Sequence, residues 1–118
     1  MEHFTSRILM ISPNKFRNNE LTIVDNSFQS RQVNNTSISD NAISEFERLK
    51  ETILKKDISV HALDDDSEFD TPDAVFPNNW ISFHKSHKVV LYPMYASNRR
   101  LERKSSTLEK LSNQGLNI

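Results

Sequence analysis

Asp70-Thr71-Pro72-Asp73-Ala74-Val75-Phe76-Pro77-Asn78-Asn79-Trp80-Ile81-Ser82-Phe83-His84 is the stretch whose reading decides the rest. Its first half is acidic and punctuated by proline, which reads as an ordered loop. From Trp80 onward large apolar and polar residues alternate, which reads as a strand. Pro72 and Pro77 lock φ on either side of Asp73. They also push Thr71 and Phe76 out of the α region. The backbone between them is therefore stiff and extended. A stiff loop that presents one carboxylate and two carboxamides beside aromatics suits a small-molecule site. The same residues also suit a plain surface loop whose Asp and Asn side chains make Asx turns.

Downstream, Trp80 to Phe83 and Lys88 to Leu91 flank His84-Lys85-Ser86-His87, a hairpin with a polar turn. His84 and His87 would hold zinc only with further ligands, and none stands nearby, so they are assigned to the turn. Upstream, Ile58, Val60 and Ala62 alternate with Ser59 and His61, a short strand in which His61 has a structural role. Asp64 to Asp70 carries closely spaced carboxylates that could hold a hard cation. The calcium-loop pattern and its turn glycine are missing, so a solvated acidic loop is the expectation.

Ile8 to Ile11 is a continuous apolar run ended by Ser12-Pro13, which suits a strand buried on both faces. Asn14 to Asn26 reads as a loop over the end of that strand, with Asn18-Asn19-Glu20 an ordinary surface connection. Gln29 to Ser39 reads as a flexible connection, after which Ser39 or Asp40 caps a helix. On that helix Ala42, Ile43, Phe46, Leu49, Ile53 and Leu54 form one apolar stripe, and Glu45, Glu47, Arg48 and Lys50 lie on the wet face. A second helix is expected from the N-cap Asn98, with Leu101, Leu108 and Leu111 on its buried side and Gly115 as terminator. Leu116-Asn117-Ile118 then reads as the first residues of a further strand.

The 118 residues accommodate one domain or part of one. The formal net charge of −1 makes no electrostatic case for nucleic acid or an anionic membrane surface. No cysteine is present, which excludes disulfides and a thiol nucleophile within these residues. No apolar run approaches a membrane span and no signal-peptide core is visible, so the default expectation is a soluble cytoplasmic protein.

Asp73-Ala74-Val75-Phe76-Pro77-Asn78-Asn79-Trp80, followed by Val90-Leu91-Tyr92-Pro93-Met94 and Asn98-Arg99-Arg100-Leu101-Glu102-Arg103, closely resembles the guanidino-group modifying enzymes. These are the pentein-fold relatives of arginine deiminase, glycine amidinotransferase and dimethylarginine dimethylaminohydrolase. Within them the chain is most similar to the amidinotransferase-like or citrulline hydrolase (ureidase) branch. Ile8 to Phe16 and Val24 to Gln29 look like that branch's first strand and loop. The resemblance implies an α/β fold: a pentein-type (α/β propeller) ββαβ module, the first blade plus the start of the next. It implies that residues 1–118 are the N-terminal part of such a domain, truncated before the catalytic Cys and its relay.

The resemblance further implies a C–N hydrolase of citrulline or a related guanidino or ureido amino acid. Such chemistry uses a thiolate that attacks the planar carbon, a histidine that shuttles protons and a carboxylate that holds the histidine. No catalytic residue, metal or cofactor is implied for this chain. Substrate binding is implied for Asp73 at the α-amino end and for Asn78 and Asn79 at the reacting end. Arg99 is implied at the substrate carboxylate, with Phe76 beneath the site. Asn14, Phe16 and Trp80 are further pocket candidates. Arginine-using relatives generally carry aspartate where this chain has Asn79. A carboxamide offers donor and acceptor atoms without charge, which suits a neutral ureido group. The expected partner is a citrulline- or arginine-like small molecule, with no nucleic acid and no membrane, and with self-association through uncovered faces. The competing expectation is a small non-catalytic binding domain that kept the pocket loop.

Overall fold

A computed structural model describes residues 5–17, 19, 35–65 and 69–116. The expectations for residues 20–34, for Asp66 to Glu68 and for Asn117 and Ile118 lie outside the described residues. Strand β1 (Arg7–Ile11) pairs in parallel with β2 (Ser59–Leu63), from Arg7 beside Ser59 to Ile11 beside Leu63. Helix α1 (Asn35–Leu54) lies between them in the chain. Parallel neighbours need such a crossover, because the second strand must begin at the same end as the first. After a single 3-10 turn at Pro77–Asn79 come β3 (Ile81–His84) and β4 (Lys88–Leu91), an antiparallel hairpin. Helices α2 (Ser97–Arg100) and α3 (Ser105–Asn113) close the described chain. Among the described residues the architecture is mixed α/β with two separate two-stranded sheets.

The core gathers Ile11, Leu63, Ala74 and Leu111, with Leu9 and Leu116 packed against it. Leu111 of α3 is fully buried there. The hairpin was legible from its alternation. Ser86 and His87 take left-handed backbone angles, φ 63° and 60°. Gly115 was legible too. At φ 89° it ends α3, with its N–H on the Ser112 carbonyl and the Leu116 N–H on that of Leu111. Those two bonds occupy carbonyls that the helix end would otherwise leave open.

Several local expectations are corrected. Helix α1 starts at Asn35, so Ser39 and Asp40 lie inside it rather than capping it. Ile38 explains the extension, because it stands four residues before Ala42 and continues the stripe through Phe46 by one turn. Of that stripe Phe46 is buried, whereas Leu49 and Leu54 are exposed. Strand β1 is buried only at Met10 and Ile11, since among the described residues β2 is its one strand neighbour. In β2 the buried residue is Leu63, and Ala62 is exposed.

The second helix is two helices. Residues 101–104 form a turn, and Lys104 at φ −116° and ψ 141° precedes α3 in extended backbone. Leu101 is consequently exposed and Asn98 is not a cap, for Ala96 holds that position in α2. Side-chain contacts fix the break. Arg103 donates to the Tyr92 carbonyl, Arg100 donates to those of Met94 and Tyr95, and Lys104 approaches Asp65. No helix of the described residues is long and apolar enough to cross a membrane.

Candidate functional site

The loop from Thr71 to Asn79 folds as successive tight turns. The N–H groups of Ala74, Phe76 and Asn79 bond to the carbonyls of Thr71, Asp73 and Phe76. The loop is thus wound, not extended as expected, because the φ that proline fixes suits a tight turn as well as an extended chain, and Pro77 opens the 3-10 turn. Thr71, Pro72, Asp73 and Ala74 are buried, whereas Phe76, Asn78 and Asn79 reach the surface.

Helix α2 brings Arg99 to this loop, and three of the expected site residues converge there. The Arg99 Nη1 donates to Oδ1 of Asn79 at 2.9 Å. Its Nη2 donates to the carbonyls of Asp73 and Phe76 at 3.3 and 3.2 Å. Its Nε stands 4.0 Å from the Asp73 carboxylate. The closer anionic partner is Glu102, which accepts from Nε at 2.9 Å and from Nη2 at 3.0 Å. This two-pronged geometry matches the guanidinium fork to a carboxylate.

Burial holds the Glu102 carboxyl above the ordinary glutamate range, against the opposing pull of Arg99. The nearby Asp73 and Asp65 push in the same direction as burial. Because the folded-state value is raised, the folded protein holds that proton more tightly than the unfolded chain. The contribution is complete below the unfolded value, about 4.3, and is lost as pH climbs through the raised one. Glu102→Gln cannot titrate. From about pH 4 upward it should therefore lose less stability than the wild type. Urea midpoints measured across pH test this, and parallel curves for the two proteins would contradict it.

The polar cluster has members that sequence reasoning missed. Asn19, expected on the surface, is fully buried. Its Nδ2 donates to Oδ2 of Asp73 at 2.9 Å and to Oδ1 of Asn98 at 3.0 Å, and Asn98 returns a bond to its Oδ1 at 3.0 Å. Nothing marks Asn19 among the neighbouring polar residues of its loop. Glu102, by contrast, stands three residues after Arg99 in a stretch that reads as helical, a spacing that does signal a pair.

A second correction concerns the acidic loop. Asp65 is buried, not solvated. Thr71 Oγ1 donates to its Oδ2 at 2.7 Å, and Nζ of Lys104 and Lys15 stand 3.6 and 3.8 Å from its Oδ1. Its backbone N–H donates to Ser12 Oγ. Among the described residues no cluster of His, Cys, Asp and Glu is arranged to hold a metal ion. His61 and His84 face Gln114 and Ser82.

The apolar half of the expected site lies on an open cavity of about 590 Å³ between β1, α1, the loop and β3. Phe16, Phe76 and Asn78 line it together with Met10, Phe46 and Phe83. The rings of Phe16 and Phe76 meet edge to face, 6.2 Å between centroids. Phe76 thus joins the two halves, its ring on the cavity and its carbonyl on Arg99. Trp80 is buried beside the core instead, and Asn14 is exposed; neither lines the cavity.

The family model described as N,N dimethylarginine dimethylhydrolase, eukaryotic, matches residues 12–118. The chain belongs to the dimethylarginine dimethylhydrolase family. That places it among the guanidino-modifying, pentein-type proteins, with a hydrolase-like sequence. The matched segment contains the whole Asp73 loop, Arg99 and Glu102. No curated protein and no solved structure matches the chain.

Proposed function

We propose that these residues form the substrate-holding part of a C–N hydrolase acting on citrulline or a related guanidino or ureido amino acid. The observation that carries the reading is the meeting of Asp73 and Asn79 of the loop with Arg99 of α2, within a segment that matches the dimethylarginine dimethylhydrolase family. The Asp73 carboxylate takes the ligand's α-ammonium group. Asn78 and Asn79 hydrogen-bond its planar head, and Phe76 supplies an apolar floor. In this reading the β–α–β unit and the hairpin are the first blade of a pentein propeller. The exposed apolar residue Leu54, which does not line the cavity, is then where further polypeptide or a second copy packs.

The thiolate attack that such hydrolysis requires has no donor here, because the 118 residues contain no cysteine. The same absence favours a second reading, a binding domain without chemistry of its own. Both readings predict that the 118-residue chain binds the amino acid and does not turn it over. Calorimetric titration with citrulline and arginine should give saturable binding that Asp73→Asn weakens at least tenfold for both ligands. A lost charge-assisted bond is worth about that much. Ammonia or methylamine release should stay at background. Binding unaffected by Asp73→Asn would refute the site. Turnover that survives repurification and vanishes in Asn79→Ala would refute the non-catalytic role.

A further inference from the structure

Asn19 is fully buried, and its Nδ2 donates to Oδ2 of Asp73 at 2.9 Å and to Oδ1 of Asn98 at 3.0 Å. Its own Oδ1 accepts from Nδ2 of Asn98 at 3.0 Å, so the two carboxamides face each other as a reciprocal pair. These residues are far apart in the chain. Asn19 follows β1, Asp73 stands on the site loop and Asn98 stands on α2, next to Arg99. One side chain thus ties the loop after β1 to both segments that carry the site. The carboxylate decides which way round it stands. Turned over, Asn19 would set its oxygen against Asp73, acceptor against acceptor.

Asp73 is 6% exposed, so the direction of its carboxylate decides which oxygen a ligand reaches. Nε of Arg99 also faces Oδ2, at 4.0 Å, beyond hydrogen-bond distance. Asn19 and Arg99 thus both approach Oδ2, which leaves Oδ1 for an arriving cation. A guanidinium draws a carboxylate toward itself, and the Asn19 bond is what holds Asp73 short of Arg99. We infer that Asn19, steadied by Asn98, is a positioning residue: through its bond to Oδ2 it keeps the Asp73 carboxylate off Arg99 and turned to the α-ammonium group of the ligand. The inference rests on the reading of Asp73 as the contact for that group. It concerns the amino-acid end of the ligand, which citrulline, arginine and dimethylarginine share, and it holds whichever head group the site takes.

The test compares citrulline with des-amino citrulline, the same molecule without its α-amino group, by calorimetric titration of the 118-residue chain. The ratio of the des-amino to the citrulline dissociation constant isolates the ammonium contact. Wild type should give a ratio of roughly tenfold or more, and Asp73→Asn should bring it close to one. Asn19→Ala should cut the wild-type ratio by roughly three- to tenfold, the effect of one hydrogen bond, while the des-amino ligand binds as before. A role confined to stabilising the fold would weaken both ligands together and leave the ratio alone, which overturns the inference. Thermal melts show whether Asn19→Ala folds. If it does not, Asn98→Ala decides, because Asn98 is only half-buried. It should lower the ratio in the same direction by a smaller factor, and a wild-type ratio in Asn98→Ala would then overturn the inference. The site reading survives either of these results as long as Asp73→Asn still abolishes the preference. A wild-type ratio near one, or no binding of citrulline, overturns the site and the inference together.

Discussion

Trp80→Ala is expected to lower the free energy of unfolding by about 3–5 kcal/mol. Trp80 is 2% exposed, the least accessible aromatic among the described residues. Its surroundings include Ile11, Leu63 and Ala74, so truncation opens a void at the core itself. Its backbone also joins two elements. The Trp80 N–H bonds to the Pro77 carbonyl at the end of the 3-10 turn, and its carbonyl accepts from Tyr92 beyond β4. Domains of this size are stable by about 5–15 kcal/mol, so the loss would take a large share of the margin. Urea unfolding followed by circular dichroism measures it. A loss below about 1 kcal/mol would mean that the indole sits at a surface rather than in a packed interior.

Asp65→Ala is the second large effect, with an expected loss of about 2–3 kcal/mol. Removing the carboxylate leaves Thr71 Oγ1 without its acceptor and sets the ammonium groups of Lys15 and Lys104 against each other. The lysine side chains are 29% and 26% exposed, so water reduces the penalty below that of a fully buried pair. The three partners come from the loop after β1, the site loop and the approach to α3. Loosening should therefore spread to all three segments. A double-mutant cycle of Asp65→Ala with Thr71→Val reads the shared part, because neighbours that share a hydrogen bond do not add. Strict additivity would show that the two residues stabilise the protein independently. Hydrogen exchange should quicken at Ser12, Ala74 and Thr107 in Asp65→Ala, and unchanged rates there would limit the effect to the carboxylate itself.

What could be read from the residues depended on how local the cause was. The hairpin, the presence of a first strand and of a long helix centred on Phe46, and the Gly115 terminator follow from spacing within a few residues and stand in the structure, whereas burial of the first strand on both faces and of Leu49 and Leu54 does not. The break between α2 and α3 does not. It is fixed by Arg100, Arg103 and Lys104 reaching groups set elsewhere in the chain, while the leucine spacing continues across it. Asn19 and Asp65 failed for the same reason. Each looks like one more polar residue in a polar loop, and burial arrives only when Asp73, Asn98, Thr71 and the lysines are folded around them. The site loop lies between these cases. Its prolines and carboxamides announced a rigid polar surface, and the family match covers it. The pairing of Arg99 with Glu102 is signalled by their spacing, but the meeting of Arg99 with Asn79 and the Asp73 and Phe76 carbonyls is visible only in three dimensions.

The parallel pairing of β1 with β2 also sets an order of events as the chain folds. The β3–β4 hairpin closes over three residues, a step that takes about 1–10 μs. The β1–β2 pair joins segments on either side of α1, so its contacts form only after a long loop has closed. Until then Ile8 to Ile11 waits with an unpaired edge and no cover. That interval, more than the finished structure, is when one copy of this chain is most exposed to another. High concentration during dilution from urea, which multiplies encounters within that interval, should divert material into aggregates through β1.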